Sequence, residues 1–149
     1  MLLEALDSAP RDLARMLRPL TAEKTLRSIR NGWSIAQVAG HMALNEAPAR
    51  ARFERVVWEA DPRVILIDAG APEGDDRTTA GEWLARFADA RAKTIDFLGT
   101  VTHQQWLRQC THETLGVAKL HQLVRMLIAH DSEHLAQIAV LREEITDSP

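Results

Sequence analysis

Cysteine is nearly absent from this sequence of 149 residues, and neither positive nor negative charge is in large excess. The single cysteine, Cys110, excludes an intrachain disulfide and is typical of a reducing compartment, so we expect a cytoplasmic protein. The 18 basic and 21 acidic residues form no basic patch, which argues against a nucleic-acid partner. Acidic residues interrupt the leucines of the first segment, so we expect neither a signal peptide nor a membrane-spanning helix.

The remaining composition is that of an ordinary globular protein. Apolar residues make up 46% and charged residues 26%, which excludes a disordered tail and a collagen-like fibre. A compact chain of this length buries roughly 68–70% of its unfolded surface, enough for a hydrophobic core. No internal repeat, low-complexity segment or domain boundary is visible, so we predict a single domain over residues 1–149.

Start signals and apolar spacing predict the first three long helices. Ser34 with Gln37, and Thr79 with Glu82, have the spacing of capping boxes, which begin the second and third helices. The third helix should end at Gly99, because glycine commonly follows a helix C-terminus. The first helix is predicted from a stripe of leucines at positions 3, 6, 13, 17 and 20.

The last long helix is predicted from about Leu115 to Glu143, after a short helix that Thr102 begins. Residues 61–78 are rich in glycine, proline and aspartate, and we interpret them as a long connection. This connection is either a solvated linker or a cover over a site. The pattern as a whole predicts an all-α protein, a four-helix bundle with a long crossover between its second and third helices.

One pair of histidines has metal-ligand spacing on a helix. His130 and His134 are four residues apart, so they lie about 40° apart on one helical face. Leu123 and Leu127 share that face, which directs both imidazoles into the bundle. Two neighbouring buried imidazoles need partners, and either a metal ion or hydrogen bonds would satisfy them.

A metal site needs at least a third ligand. His41 lies on the second helix and could project toward the last one, although a lone histidine is more often at the surface. Nine residues separate His121 from His130, which places His121 on the opposite face. We therefore expect His103, His112 and His121 to be mostly exposed, or at most to contact a ligand of the metal.

Residues 33–37 (WSIAQ), followed by His41 and Glu46, and residues 130–138 (HDSEHLAQI) are the two most distinctive stretches of the chain. The first resembles the second helix of the DinB (YfiT-like) superfamily. HDSEHLAQI at 130–138 is similar to its most typical stretch. Smaller similarities follow the same order along the chain: Phe87 with Arg91, Trp106, and Leu115 with Gly116.

The resemblance implies an up-down-down-up bundle, often dimeric, in which His41, His130 and His134 hold a divalent ion. Three imidazoles leave a coordination position open and suit Zn, Ni or Fe alike. An open position supports transfer of a low-molecular-weight thiol to an electrophile in detoxification, the function we expect first. The alternatives are hydrolysis by metal-bound water and non-catalytic binding of a metal or small molecule in a stress response. A small-molecule substrate and a homodimer are expected, and a membrane partner is not.

Several polar residues could assist the three histidines. Gln137 is in line with His130, and Asn45 is in line with His41, so each could donate to a metal-bound ligand. Asp131 and Glu133 flank the same face, either as partners that orient an imidazole or as a solvated helix edge. Arg91 could hold an anionic group of a substrate, although an exposed arginine more often only solvates a helix face. The sequence assigns no catalytic residue.

Overall fold

The structure is a computed structural model, and it describes residues 1–65, 70–73 and 77–147. None of the helices in these residues is both long and apolar enough to cross a membrane. The elements follow in the order α1 (Leu2–Leu17), α2 (Ala22–Thr25), α3 (Ile35–Trp58), β1 (Arg63–Val64), α4 (Ala80–Gly99), α5 (His103–Trp106), β2 (Gln109–His112), β3 (Gly116–Lys119) and α6 (Leu120–Asp147).

The predicted capping boxes begin the helices. The Ser34 hydroxyl accepts from the backbone N–H of Gln37, whose side chain accepts from the backbone N–H of Ser34. The same reciprocal pair begins α4 at Thr79 and α5 at Thr102. Each box satisfies backbone donors that the first helical turn leaves without partners. These three helix starts are therefore confirmed.

The four long helices form a bundle in which α1 contacts α4, α4 contacts α3, α3 contacts α6, and α6 contacts α1. Glu46 pairs with Arg91 while Gly40 faces Trp83, so α3 and α4 run in the same direction. A parallel pair of consecutive helices requires a long crossover, as predicted for residues 61–78. The up-down-down-up four-helix bundle is thus confirmed, with a small sheet added at one end.

The sheet corrects the predicted start of the last helix. Residues 109–119 form a hairpin in which Cys110 faces Ala118, and α6 begins only at Leu120 rather than at Leu115. Gly116 has a φ of +72°, a conformation that glycine adopts readily and that a helix start does not use. Within the crossover, β1 pairs with β2 in parallel, with Val64 opposite His112. Residues 66–69 and 74–76 of the predicted connection lie outside the described residues.

Candidate metal centre

Three histidines from two helices converge on one point. His41 projects from α3, whereas His130 and His134 project from successive turns of α6. The Nε2 atom of His130 lies 3.0 Å from Nε2 of His41 and 3.1 Å from Nε2 of His134. His41 is 3% exposed, and the other two histidines are half-buried. The predicted set is therefore brought together, with its more accessible side formed by α6.

The opposite ring nitrogens of two of these histidines are held by oxygen acceptors. Nδ1 of His41 donates to the carbonyl oxygen of Gly70 at 2.8 Å. Nδ1 of His134 donates to Oε1 of Gln137 at 2.9 Å. A proton on Nδ1 leaves a lone pair on Nε2 of a neutral imidazole, which is the form that ligates a metal. Gln137 therefore orients the His134 imidazole as an acceptor, whereas the sequence analysis predicted it as a donor to a metal-bound ligand.

The geometry of the three nitrogens fits a transition-metal ion. Two nitrogens that each lie about 2.0–2.1 Å from one ion are about 2.9–3.4 Å apart at bond angles of about 90–110°. The separations of 3.0 and 3.1 Å fall in that range. The lone pairs of His41 and His134 both face Nε2 of His130, which can donate one proton to only one of them, and the amide of Asn45 is a further donor within reach of Nε2 of His41. A cation satisfies all three nitrogens at once.

Asn45 stands next to this point, one helical turn after His41. Its amide nitrogen lies 3.0 Å from Nε2 of His41, and the residue is 5% exposed. The amide donor is thus beside the position that the three nitrogens share, as the sequence predicted. The ring of Trp33 lies 5.3 Å from that of His41, centroid to centroid.

Arg91 is not available to a substrate, contrary to the expectation. It is 1% exposed, and its five N–H donors all bond to protein oxygens. Two go to Glu46 at 2.7 and 2.9 Å, two to Asp131 at 2.9 and 3.0 Å, and one to the carbonyl oxygen of Leu6 at 2.7 Å. Burial raises the pKa of Asp131, and the hydrogen bonds from Arg91 oppose this effect. Arg91 therefore joins α4 to the other three long helices of the bundle.

The two acidic residues beside the histidines have different environments. Asp131, predicted either to orient an imidazole or to form a solvated edge, is buried in the pair with Arg91. Glu133 is exposed, as a solvated helix edge would be. The difference follows from what each side chain contacts. Asp131 faces the bundle interior where α1 and α4 meet α6, and the hydrogen bonds from Arg91 offset the cost of its desolvation there.

The prediction for the other histidines holds for one of three. His103 is exposed, but His121 is half-buried, and the prediction is wrong for His112, which is 3% exposed. Nδ1 of His112 accepts from the backbone N–H groups of Thr114 and Leu115 at 3.1 and 3.2 Å. The ring therefore holds the turn of the hairpin, an element that the sequence analysis did not predict.

A cavity of about 90 Å³ adjoins the histidines between α3 and α6. His130 and Asn45 line it near the three nitrogens, and Arg52 and His112 also line it. Sequence reasoning missed the last two residues. The sequence could have indicated Arg52, which follows His41 by eleven residues. Eleven residues of α-helix turn about 1,100°, so the two side chains lie within about 20° of one another around the helix axis. Cys110 and His112 are buried and Thr111 between them is exposed, the alternation that is typical of a β-strand and that could have indicated His112.

Comparisons with known proteins agree with this architecture. The model of the DinB superfamily matches residues 5–138 of the chain. A protein of Bacillus subtilis (strain 168), YfiT, to which the activity of a metal-dependent hydrolase has been ascribed, is 26% identical over 144 residues. That match covers 93% of this chain and 81% of the relative. A solved structure of YfiT, described as an unusual four-helix bundle, superposes with a TM-score of 0.77 at 20% identity, over 99% of this chain and 87% of that one.

Proposed function

This chain belongs to the DinB superfamily, and from that membership and its three-histidine site we propose that it is a metal-dependent hydrolase acting on a small molecule. The observation that carries the proposal is the convergence of three Nε2 atoms beside a cavity. A site with three protein ligands leaves a coordination position open, which is typical of catalytic rather than structural sites. The activity ascribed to the Bacillus subtilis relative supports the same class of reaction.

The ion would supply a Lewis acid and lower the pKa of water toward 7. The chain's own residues supply position and shelter. Gly70 and Gln137 hold the Nδ1 protons of two ligand histidines, which keeps the Nε2 atoms directed at the site. Asn45 offers an amide donor next to them, so it can hold an oxygen of the substrate. The apolar walls of the cavity limit water around the reacting group.

No carboxylate is found among the described residues that line the cavity. The polar side chains that can contact a substrate there are therefore those of Asn45, Arg52 and His112, beside the ligand His130. All three non-ligand side chains can donate hydrogen bonds, which suits a substrate rich in oxygen acceptors. Transfer of a low-molecular-weight thiol, the first expectation from the family resemblance, stays a prediction. A homodimer and a cytoplasmic location are likewise retained as proposals.

The test is a screen of the metal-loaded protein, purified without a histidine tag, against small esters and amides with and without added thiols. We expect hydrolysis above background that does not depend on thiol and rises as pH passes about 7. The double variant His130→Ala, His134→Ala should lose this activity, and the exposed His103→Ala should keep it. Turnover only with added thiol would establish the transferase instead. A stoichiometric metal with no turnover would favour a non-catalytic binder.

A further inference from the structure

The cavity beside His130 has a second polar end. One end holds His130 and Asn45, and the walls along α3 and α6 are apolar. Arg52 and His112 are the remaining polar lining residues. Since one water needs roughly 10–15 Å³ of such space, this cavity of about 90 Å³ has room for about six to nine waters. A ligand with a short apolar chain fits such a space.

Arg52 is a half-buried cation for which the described residues supply no counter-ion. Its Nη1 donates to the carbonyl oxygen of Ile65 at 3.0 Å, and no described carboxylate pairs with it. Burial lowers the pKa of its guanidinium, and no anion offsets this effect. Arg91, by contrast, has two carboxylates around it. A half-buried guanidinium with donors to spare is a binding group for a carboxylate, which it can hold with two parallel hydrogen bonds.

His112 supplies a second donor at the same end. Its Nδ1 accepts from two backbone N–H groups of the hairpin turn, so the proton of the neutral ring is on Nε2. No described residue accepts that proton, and the ring lines the cavity. Val64 pairs with His112, and the next residue, Ile65, holds Arg52. The sheet therefore places His112 beside the segment that holds the Arg52 guanidinium, and both residues line the cavity.

We infer that Arg52 and His112 form a carboxylate subsite, and that the substrate is an acid whose apolar chain separates this carboxylate from the acyl group at the histidines. The acyl part rests on the proposed hydrolase function, whereas the carboxylate subsite does not require turnover. Arg52 lies three turns from His41, or about 16 Å along α3, and the arginine side chain spans part of that distance. A chain of about six to eight carbons bridges the rest.

The test measures binding rather than activity. Zinc-loaded protein is titrated calorimetrically with two matched pairs: adipic monohydroxamate against hexanohydroxamate, and suberic monohydroxamate against octanohydroxamate. Within a pair the ligands share their length and zinc-binding group, and they differ in a terminal carboxylate or methyl. We expect the carboxylate form of at least one pair to bind about tenfold more tightly or better, as a charge-assisted hydrogen-bonded pair would produce.

Three variants separate the roles of the subsite residues. Arg52→Gln should abolish the preference for the carboxylate while leaving the methyl form within about twofold. Arg55→Gln, an exposed arginine one turn further along α3, should keep the preference. His112→Asn retains an acceptor for the two backbone N–H groups, and its shorter side chain does not reach the position of the Nε2–H donor, so the preference should fall with little change in Tm.

A metal-free experiment makes the outcome independent of zinc loading. Hexanoate should shift the methyl resonance of Met126, which lines the cavity, at lower concentration than 1-hexanol does, and Arg52→Gln should remove this difference. The inference is overturned if neither experiment shows a carboxylate preference, or if the preference survives Arg52→Gln. If the preference is present but no acid derivative is hydrolysed, the subsite stands and the proposed function fails. If an acid derivative is hydrolysed but the carboxylate preference is absent, the proposed function stands and the subsite fails.

Discussion

The carbonyl oxygen of Gly70 lies 2.8 Å from Nδ1 of His41, although 29 residues separate them. A residue of the crossover thus determines which nitrogen of a candidate metal ligand carries the proton. Because Nδ1 donates to this oxygen, Nε2 is directed toward His130 with its lone pair available. The crossover contacts the site, so this part of it is more than a solvated linker.

Gly40→Ala should disturb this contact. A Cβ at position 40 would overlap Cγ of Pro72 and lie 2.9 Å from the ring of Trp83, so residues 70–73 would have to move. We expect a loss of about 1–3 kcal/mol in the free energy of unfolding and about tenfold weaker zinc binding. Urea titration and chelator competition measure the two effects.

The control for this change is Gly81→Ala. A Cβ at position 81 meets only Oγ1 of Thr79 at 3.9 Å, and position 81 lies within α4. Because alanine has the higher helix propensity, this variant should gain up to about 1 kcal/mol in stability. Unchanged zinc affinity in Gly40→Ala would show that the Gly70 carbonyl does not orient His41.

Gln137→Ala removes the acceptor that holds Nδ1 of His134. Loss of a partner that orients a ligand imidazole typically weakens metal binding by about 10–100-fold, and we expect a value in that range. Because Gln137 is exposed, the fold should be little affected. Competition with a zinc chelator gives the affinity, and Gln104→Ala, at an exposed glutamine of α5, serves as the control. Equal affinities would exclude the orienting role.

Arg91→Met tests the buried ion pairs. The change leaves Glu46 and Asp131, at 0% and 4% exposure, without their cation, and removing one member of a buried pair costs about 3–5 kcal/mol. Urea unfolding followed by circular dichroism measures the loss. Arg55→Met breaks an exposed pair with Glu59 and should change stability little. A small effect of Arg91→Met would mean that this network is not needed for folding.

Cys110 should react slowly in the folded protein. The thiol is buried in β2, and burial raises its pKa. Since the folded-state pKa lies above the unfolded value, the thiolate forms less readily in the folded chain at pH 8. We expect iodoacetamide to label the native protein at least about a hundredfold more slowly than the protein in urea. Mass spectrometry follows the label, and similar rates in both states would contradict this burial.

Metal content tests the three-histidine set directly. Mass spectrometry of untagged protein should find close to one equivalent of Zn, Ni or Fe in the wild type. The double variant His130→Ala, His134→Ala should have lost it, and His103→Ala should retain it. Because the ligands come from α3 and α6, binding should stabilise the folded state, by about 4 kcal/mol at a thousandfold excess over Kd. If the wild type is metal-free and cannot be loaded, the metal site is wrong.

Local signals in the sequence were sufficient for the first three long helices and for the ligand pair, whereas the start of the last helix was predicted five residues too early. Each capping box depends on two residues three positions apart, and the face of His130 and His134 follows from helical geometry. The small sheet escaped because its strands have two to four residues and Arg63 pairs with Thr111, 48 positions away. Such pairing is set by tertiary contacts rather than by propensity.

The environment of Arg91 escaped for a different reason. Taken singly, an arginine, a glutamate and an aspartate are each expected at the surface. Their burial is favourable only because the three meet, and that meeting depends on the parallel course of α3 and α4. The substrate-anion role was consequently assigned to Arg91, whereas Arg52, which lines the cavity, has no carboxylate partner among the described residues.

The cluster of Arg91, Glu46 and Asp131 also has a consequence for the affinity of the neighbouring site. With both carboxylates ionised, it contains one positive and two negative charges, a net charge of −1 inside the bundle. Asp131 precedes Ser132 on the helix that carries His130 and His134, so this charge adjoins the ligands. Neutral imidazoles contribute no charge of their own. The net negative charge of the ionised cluster therefore attracts a divalent cation at the histidines, because the protein interior between them screens charge less than water does.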